Sequence, residues 1–223
     1  MIIVFLHLFG ALTNPIKRNS EFPVAIWQTN IPTREKLKID DEFIKEKQSI
    51  AQEYALANQA KLLVAPEGTL SNNFYLPKGI KVNTLAGGFR NYDNELRSSL
   101  LGFQIGDKSF TSFIDKNRLV PLGEKIPRFL NSFSRGLSAV GGIQPGSDSR
   151  FFDPKFTPPL AVAICYEISD GVKIRKAINS GAKLIITAAN LDPYPIKLYD
   201  QFLSLARLRS IENKKDNLLV SNT

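Results

Sequence analysis

The sequence predicts an α/β fold, and three observations carry that prediction. Short apolar runs of strand length recur along the chain, at residues 22–28, 61–66, 160–164 and 184–189. Helical periodicity separates them, most clearly at 40–60 and 196–211. Strand-helix-strand alternation of this kind builds a sheet with helices packed on it. No linker interrupts residues 20–223, and a chain of 223 residues is long enough for one domain with a sizeable core.

Residues 1–19 stand apart. Their first twelve, Met1 to Leu12, are almost wholly apolar but fall short of the about 20 residues that a spanning helix needs. They lack the basic start of a signal peptide, and read as a strand, an interfacial segment or the remnant of a membrane helix. Phe22 to Gln28 reads as the first strand, followed by the loop Asn30-Ile31-Pro32-Thr33. Asp40-Asp41-Glu42 suits a helix N-terminus. The helix that follows places Phe43, Lys47, Ile50, Tyr54 and Ala57 on one face, the expected apolar side.

Lys61 to Pro66 is a buried strand that ends at Glu67-Gly68-Thr69. Residues 71–95, with Gly87-Gly88 and several asparagines, read as loop. Ser98–Gln104 and Ser109–Asp115 read as strands of a hairpin turned at Ile105-Gly106-Asp107-Lys108. Residues 126–160 are rich in Pro, Gly and Ser and carry Phe129, Leu130, Phe133 and Leu137, either core or an exposed apolar loop. Leu160 to Ile164 is a buried strand with Cys165 at its exit. A short helix from Val172 to Asn179 closes at Gly181. Leu184–Ala189 is the next strand, Ile196–Ile211 an amphipathic helix with Tyr199, Phe202, Leu203, Ala206 and Ile211 on its apolar face, and Asn217–Ser221 the last strand.

Composition excludes several classes of chemistry. One cysteine allows no internal disulfide, and one histidine makes a Ser-His-Asp system or a zinc site improbable. The net charge of +8 is spread along the chain, without the interleaved basic and aromatic residues of an RNA-binding surface, so no nucleic-acid partner is expected. Cys165 alone is most simply a small buried apolar residue, and Glu67 alone a solvated loop carboxylate. Yet both stand at the exit of a buried strand, where α/β proteins build their sites. A functional cysteine also needs a proton acceptor and an oxyanion donor.

Three segments supply that set: Ala65-Pro66-Glu67-Gly68, Lys116-x-x-Leu119-Val120-Pro121-Leu122-Gly123-Glu124, and Ile164-Cys165-Tyr166-Glu167. Together they resemble the Glu-Lys-Cys triad of the nitrilase (carbon–nitrogen hydrolase) superfamily. The Leu-Val-Pro-Leu-Gly-Glu and Cys-Tyr-Glu strings resemble the apolipoprotein N-acyltransferase family within it. Asn30-Ile31-Pro32, Ile143-Gln144-Pro145-Gly146 and Ala206-Arg207-x-Arg209-Ser210-x-Glu212 add to the likeness, which spans about residues 22–223.

The resemblance implies a nitrilase-like α-β-β-α sandwich, here lacking its last strands and the membrane-helix bundle that precedes it in the family, so the chain is expected to be one part of a split enzyme or a degraded copy. It implies Glu67 as general base, Lys116 as oxyanion donor with the Tyr166 amide, and Cys165 as nucleophile. Glu124, Tyr166 and Glu167 take supporting positions. A phospholipid would acylate Cys165, and the thioester would pass to the N-terminal amine of an apolipoprotein, at the periplasmic face of the bacterial inner membrane. No cofactor or metal is implied. The partners would be the lipid donor, the apolipoprotein acceptor, the membrane surface and a separate transmembrane part. The rival readings are a soluble amidase using the same Cys165, and a non-catalytic fragment that binds a membrane or a partner. Two departures from the family pattern are Leu37, near a position where many relatives carry tryptophan, and the loop Asn190-Leu191-Asp192-Pro193.

Overall fold

The computed structural model describes residues 22–36, 40–72, 74–120, 124 and 142–222. The apolar segment within 1–19, Leu37, the Pro121-Leu122-Gly123 string and the side chains Phe129, Leu130, Phe133 and Leu137 lie outside the described residues.

Two sheets form the body of the fold. The first holds five strands in sequential order: β1 (Val24–Ile26), β2 (Leu62–Leu70), β3 (Thr84–Tyr92), β4 (Glu95–Phe103) and β5 (Ser112–Asp115). β1, β2 and β3 run parallel, and β3, β4 and β5 antiparallel. The second holds β6 (Phe151–Phe152), β7 (Leu160–Ile164), β8 (Leu184–Asn190) and β9 (Asn217–Asn222), with β7, β8 and β9 parallel. Helix α1 (Thr33–Lys36) is a single turn after β1, and α2 (Asp41–Ala57) connects toward β2. Helices α3 (Gly171–Asn179) and α4 (Ile196–Asn213) make the crossovers of the second sheet.

The period-2 alternation of the strands explains the layering. Leu160, Val162 and Ile164 of β7 point into the space between the sheets and pack with Leu62 and Val64 of β2, Leu85, Leu100 and Ile114. Ala161, Ala163 and Cys165 point the other way and pack with Ile174 and Ala177 of α3 and Phe202 and Ala206 of α4. On the far side, Leu63 of β2 meets Ala55 of α2 and Val82. The result is the expected helix-sheet-sheet-helix sandwich. The two apolar faces of each sheet are why its strands read as continuous apolar runs.

Three local expectations are corrected. Helix α2 buries Ile44, Gln48, Gln52 and Ala55, while Phe43, Ile50 and Tyr54 are exposed. The buried face is partly polar because Gln52 accepts from the backbone amides of Lys81 (3.0 Å) and Val82 (2.7 Å) and donates to Thr84 Oγ1 (2.7 Å). In α4, Ile211 is exposed and Arg209 is buried instead, donating through Nε to the Ile168 carbonyl at 3.2 Å. Residues 84–92, read as loop, are strand β3. They join β4 through Asp93-Asn94, both with positive φ (51° and 60°), the geometry of a type I′ hairpin turn.

Candidate active site

The carboxyl ends of β1, β2, β7, β8 and β9 meet at one edge of the sandwich, where α/β folds place their ligands. Asn222, at the end of β9, joins the two sheets there. Its Oδ1 accepts from Thr29 Oγ1 at 2.7 Å and from the Ile31 amide at 3.3 Å, and its Nδ2 donates to the Ile31 carbonyl at 2.8 Å. The Asn30-Ile31-Pro32 string is thereby held over the same edge.

Glu67 sits on a bulge of β2. Between the pairs Ala65↔Ala86 and Leu70↔Gly88, the four residues 66–69 of β2 face the single residue Gly87 of β3. Gly68 takes φ +66°, a conformation open to glycine at little cost, and Thr69 Oγ1 closes the bulge on the Pro66 carbonyl at 2.8 Å. Bulges re-aim side chains, and this one turns Glu67 toward Lys116.

Lys116 directly follows β5 and is 1% exposed. Its Nζ donates to Glu67 Oε1 at 2.8 Å and to Glu124 Oε1 at 2.6 Å. The second oxygen of Glu124 accepts from the Val120 amide at 2.8 Å. Ser98 Oγ adds a longer bond to Glu67 at 3.4 Å.

Cys165 ends β7 with φ +51°, rare for a residue with a side chain, and a 3₁₀ turn over Cys165–Ser169 begins there. A strained turn at a strand exit presents its side chain outward, and strain of this kind clusters at functional sites. Cys165 and Glu67 line the same cleft, and the Glu67 carboxylate is close enough to push the Cys165 thiol up. Glu167, two residues on, accepts from the amides of Asn117 (2.6 Å), Arg118 (3.0 Å) and Ile164 (2.9 Å). The Tyr166 ring lies under the Arg118 guanidinium, 4.8 Å from its centroid.

The electrostatics divide the cluster. Burial, the negative charge of Glu67 and a weaker push from Glu124 drive the Cys165 thiol up, with Lys116 opposing them, so the resting sulfur is protonated. Burial alone would lower the Lys116 ammonium, but Glu67, Cys165 and Glu124 outweigh it and hold the ammonium charged. Burial raises Glu124, with Glu67 adding to the rise and Lys116 opposing it. One cation therefore lies between two carboxylates, and a thiolate becomes affordable only as Glu67 takes its proton.

The cluster opens into a cleft of about 630 Å³ lined by Glu67, Lys116, Glu124 and Cys165 together with Pro32, Phe89, Val120, Ile143, Pro193 and Tyr194. Burial, then the neighbouring Cys165, raises the Tyr194 phenol at its mouth. Among the described residues no group of three or more His, Cys, Asp and Glu is placed to hold a metal ion, and no helix is long and apolar enough to cross a membrane.

The structure thus brings Glu67, Lys116, Cys165 and Glu124 together, with Glu167 behind them and Tyr166 at their side. Sequence reasoning missed Arg150, buried against Glu167, and the Arg90–Asp115 pair, bonded at 2.7 and 2.6 Å directly before Lys116. It also missed Tyr194. An arginine just before a strand carries no motif of its own. Only the carboxylate of the Cys-Tyr-Glu string, which needs a cation if buried, signalled such a partner.

No family model matches the chain. Along its whole length it is 70% identical to an apolipoprotein N-acyltransferase of Prochlorococcus marinus subsp. pastoris, covering 45% of that protein. It is 42% identical to the protein of that description from Prochlorococcus marinus strain MIT 9313, again covering 45% of it. The chain therefore spans less than half the length of these curated relatives. Among solved structures it is similar to Saccharomyces cerevisiae Nit3 of the nitrilase superfamily, with 16% identity and a TM-score of 0.63, covering 92% of this chain and 78% of that one. It is also similar to the amidase from Nesterenkonia sp. AN1 whose structure shows covalent addition of the acetamide moiety of fluoroacetamide at the active site cysteine. That match has 13% identity and a TM-score of 0.64, and covers 94% of this chain and 79% of that one. The fold is that of the carbon–nitrogen hydrolases.

Proposed function

We propose, for a chain related along its whole length to apolipoprotein N-acyltransferases and built on the nitrilase-superfamily fold, that it carries the acyl-transfer site of such an enzyme. One observation carries the reading. Cys165, on a strained strand exit, shares a buried cluster with a carboxylate that can take its proton and an ammonium that can meet an oxyanion.

In the first half-reaction the Cys165 sulfur attacks the acyl ester carbonyl of a phospholipid while Glu67 takes the thiol proton. The rising negative charge on the carbonyl oxygen is met by the Lys116 ammonium and the Tyr166 amide. One such donor is worth about 3–4 kcal/mol in the transition state. Collapse breaks the ester bond, and the leaving alkoxide takes the proton from Glu67 to give a lysophospholipid and a thioester. In the second half-reaction an α-amine of a lipid-modified apolipoprotein attacks the thioester, Glu67 takes the amine proton, and the departing Cys165 sulfur recovers it. The amide product and the resting thiol balance the cycle without a cofactor. Glu124 keeps Lys116 charged and aimed. The apolar walls of the cleft, Phe89, Val120, Ile143 and Tyr194 among them, suit an acyl chain. The positive net charge suits an anionic membrane surface, with the bacterial inner membrane and its periplasmic face as the site of work.

The test is intact-mass spectrometry after incubation with phospholipid vesicles, followed by hydroxylamine. The expected result is an acyl mass on the wild type that hydroxylamine removes, absent in Cys165→Ala. A folded chain that gains no such mass, yet hydrolyses small amides through Cys165, would replace this reading with a soluble amidase.

A further inference from the structure

One buried side chain outside the reacting cluster, Arg150, contacts the backbone beside Lys116 and the carboxylate of Glu167. Arg150 is 2% exposed, and each of its three guanidinium nitrogens donates. Nε donates to the Ser149 carbonyl at 2.9 Å. Nη1 donates to both oxygens of Glu167 at 2.8 Å. Nη2 donates to the Asp115 carbonyl at 2.9 Å and to the Ser147 carbonyl at 2.6 Å. Asp115 is the residue before Lys116.

Glu167 completes the bracket. Its Oε1 takes the amides of Asn117 and Arg118, the two residues after Lys116, and its Oε2 takes the amide of Ile164, the residue before Cys165. The backbone on both sides of the lysine, and on the near side of the cysteine, thus closes on one buried ion pair. Asn117 is fixed further through Nδ2 to the Gly146 carbonyl at 2.8 Å, and its Oδ1 accepts from Lys173 Nζ at 2.6 Å.

We propose that Arg150 is a positioning residue for acyl transfer: through Glu167 and the Asp115 carbonyl it sets the separation between the Cys165 sulfur and the Lys116 ammonium. It reaches neither the sulfur nor the cleft, so it acts only through these residues. The proposal rests on the reading of Cys165 as nucleophile. Lysine cannot take its place, because a single ammonium with three donors cannot grip Glu167, Asp115 and Ser147 in one plane.

The experiment uses Arg150→Lys and the pair Arg150→Met with Glu167→Gln, which leaves no unpaired buried charge. The rate of Cys165 alkylation by iodoacetamide is followed against pH, beside thermal melting and acylation from phospholipid vesicles. The charged and titratable groups around the sulfur are Glu67, Lys116, Glu124 and Tyr194, none of them altered. Lys116 displaced from the sulfur stabilises the thiolate less, so both variants are expected to alkylate about 10-fold or more slowly at neutral pH, with profiles moved to higher pH. Acylation is expected to fall at least as far. Either variant melting lower but alkylating with the wild-type profile would overturn the proposal and leave Arg150 a structural residue. Wild type that alkylates at Cys165 but is not acylated by phospholipid, with the variants still slowed, would sustain Arg150 and refute the lipid substrate alone.

Discussion

Gly87 faces the bulge that carries Glu67, and Gly87→Ala tests whether that close approach sets the base. A Cβ at this position would lie 2.8 Å from the Glu67 nitrogen, and closer still to Glu67 Cα and the Pro66 carbonyl oxygen. These are backbone atoms of a buried strand and cannot swing aside. Restoring ordinary contact at 3.4 Å separates β2 and β3 by at least 0.6 Å at the bulge. The overpacking is expected to cost about 1–3 kcal/mol of stability. The larger consequence is for Glu67, which the bulge carries and which accepts from Lys116 Nζ at 2.8 Å. A misplacement approaching 1 Å costs roughly 10–100-fold in rate. Thioester formation, read by the hydroxylamine-labile mass, is expected to slow by that factor while urea unfolding stays cooperative. An alanine variant that acylates at the wild-type rate would refute the claim that the bulge positions the base.

Two further predictions follow from the buried charges. Lys116→Met leaves Glu67 and Glu124 facing each other without their cation; it is expected to destabilise the fold by about 3–5 kcal/mol and to slow thioester formation by roughly 10²–10³-fold, and unchanged urea midpoints would sink the account of the pair. Burial pushes the Asp115 carboxyl up, but hydrogen bonds from Arg90 and Ser99 and the charges of Arg90 and Arg97 outweigh it and hold it below the usual carboxylate range. The native state thus binds that proton less readily than the unfolded chain. Its contribution to stability is present above about pH 4 and lost as pH falls below it. Urea midpoints of wild type are expected to fall more steeply with acidification than those of Asp115→Asn, and parallel curves would show that the pair does not act this way.

How much of this was legible in the sequence depended on whether the signal was local. Cys165 stands at a strand exit, and a buried strand announces itself by a run of apolar residues; Glu67, read at another exit, lies on a bulge inside β2, which continues to Leu70. The Glu124 carboxylate stands eight residues after Lys116 and bonds it, so its order along the chain was enough. Gly87-Gly88 misled because glycine marks loops more often than strands, whereas here the missing side chain makes room for the bulge. Helix α2 misled because Gln52 spends its amide on backbone groups, so a polar stripe faces inward and an apolar one outward. Arg150 was invisible because its partners beyond its own loop, Asp115 and Glu167, come from two other stretches of chain, and only the folded topology collects them.

Glu67 and Lys116 come from one sheet, and Cys165, the proposed nucleophile, from the other. The reacting distance is therefore also the distance between two packed layers, held by Leu62, Val64, Leu100, Val162 and Ile186 rather than by anything in the cleft. Catalysis on such a frame has a mechanical coordinate. Hydrostatic pressure, which acts on packed volume, becomes a way to tune it, and the activation volume becomes a property of the interior.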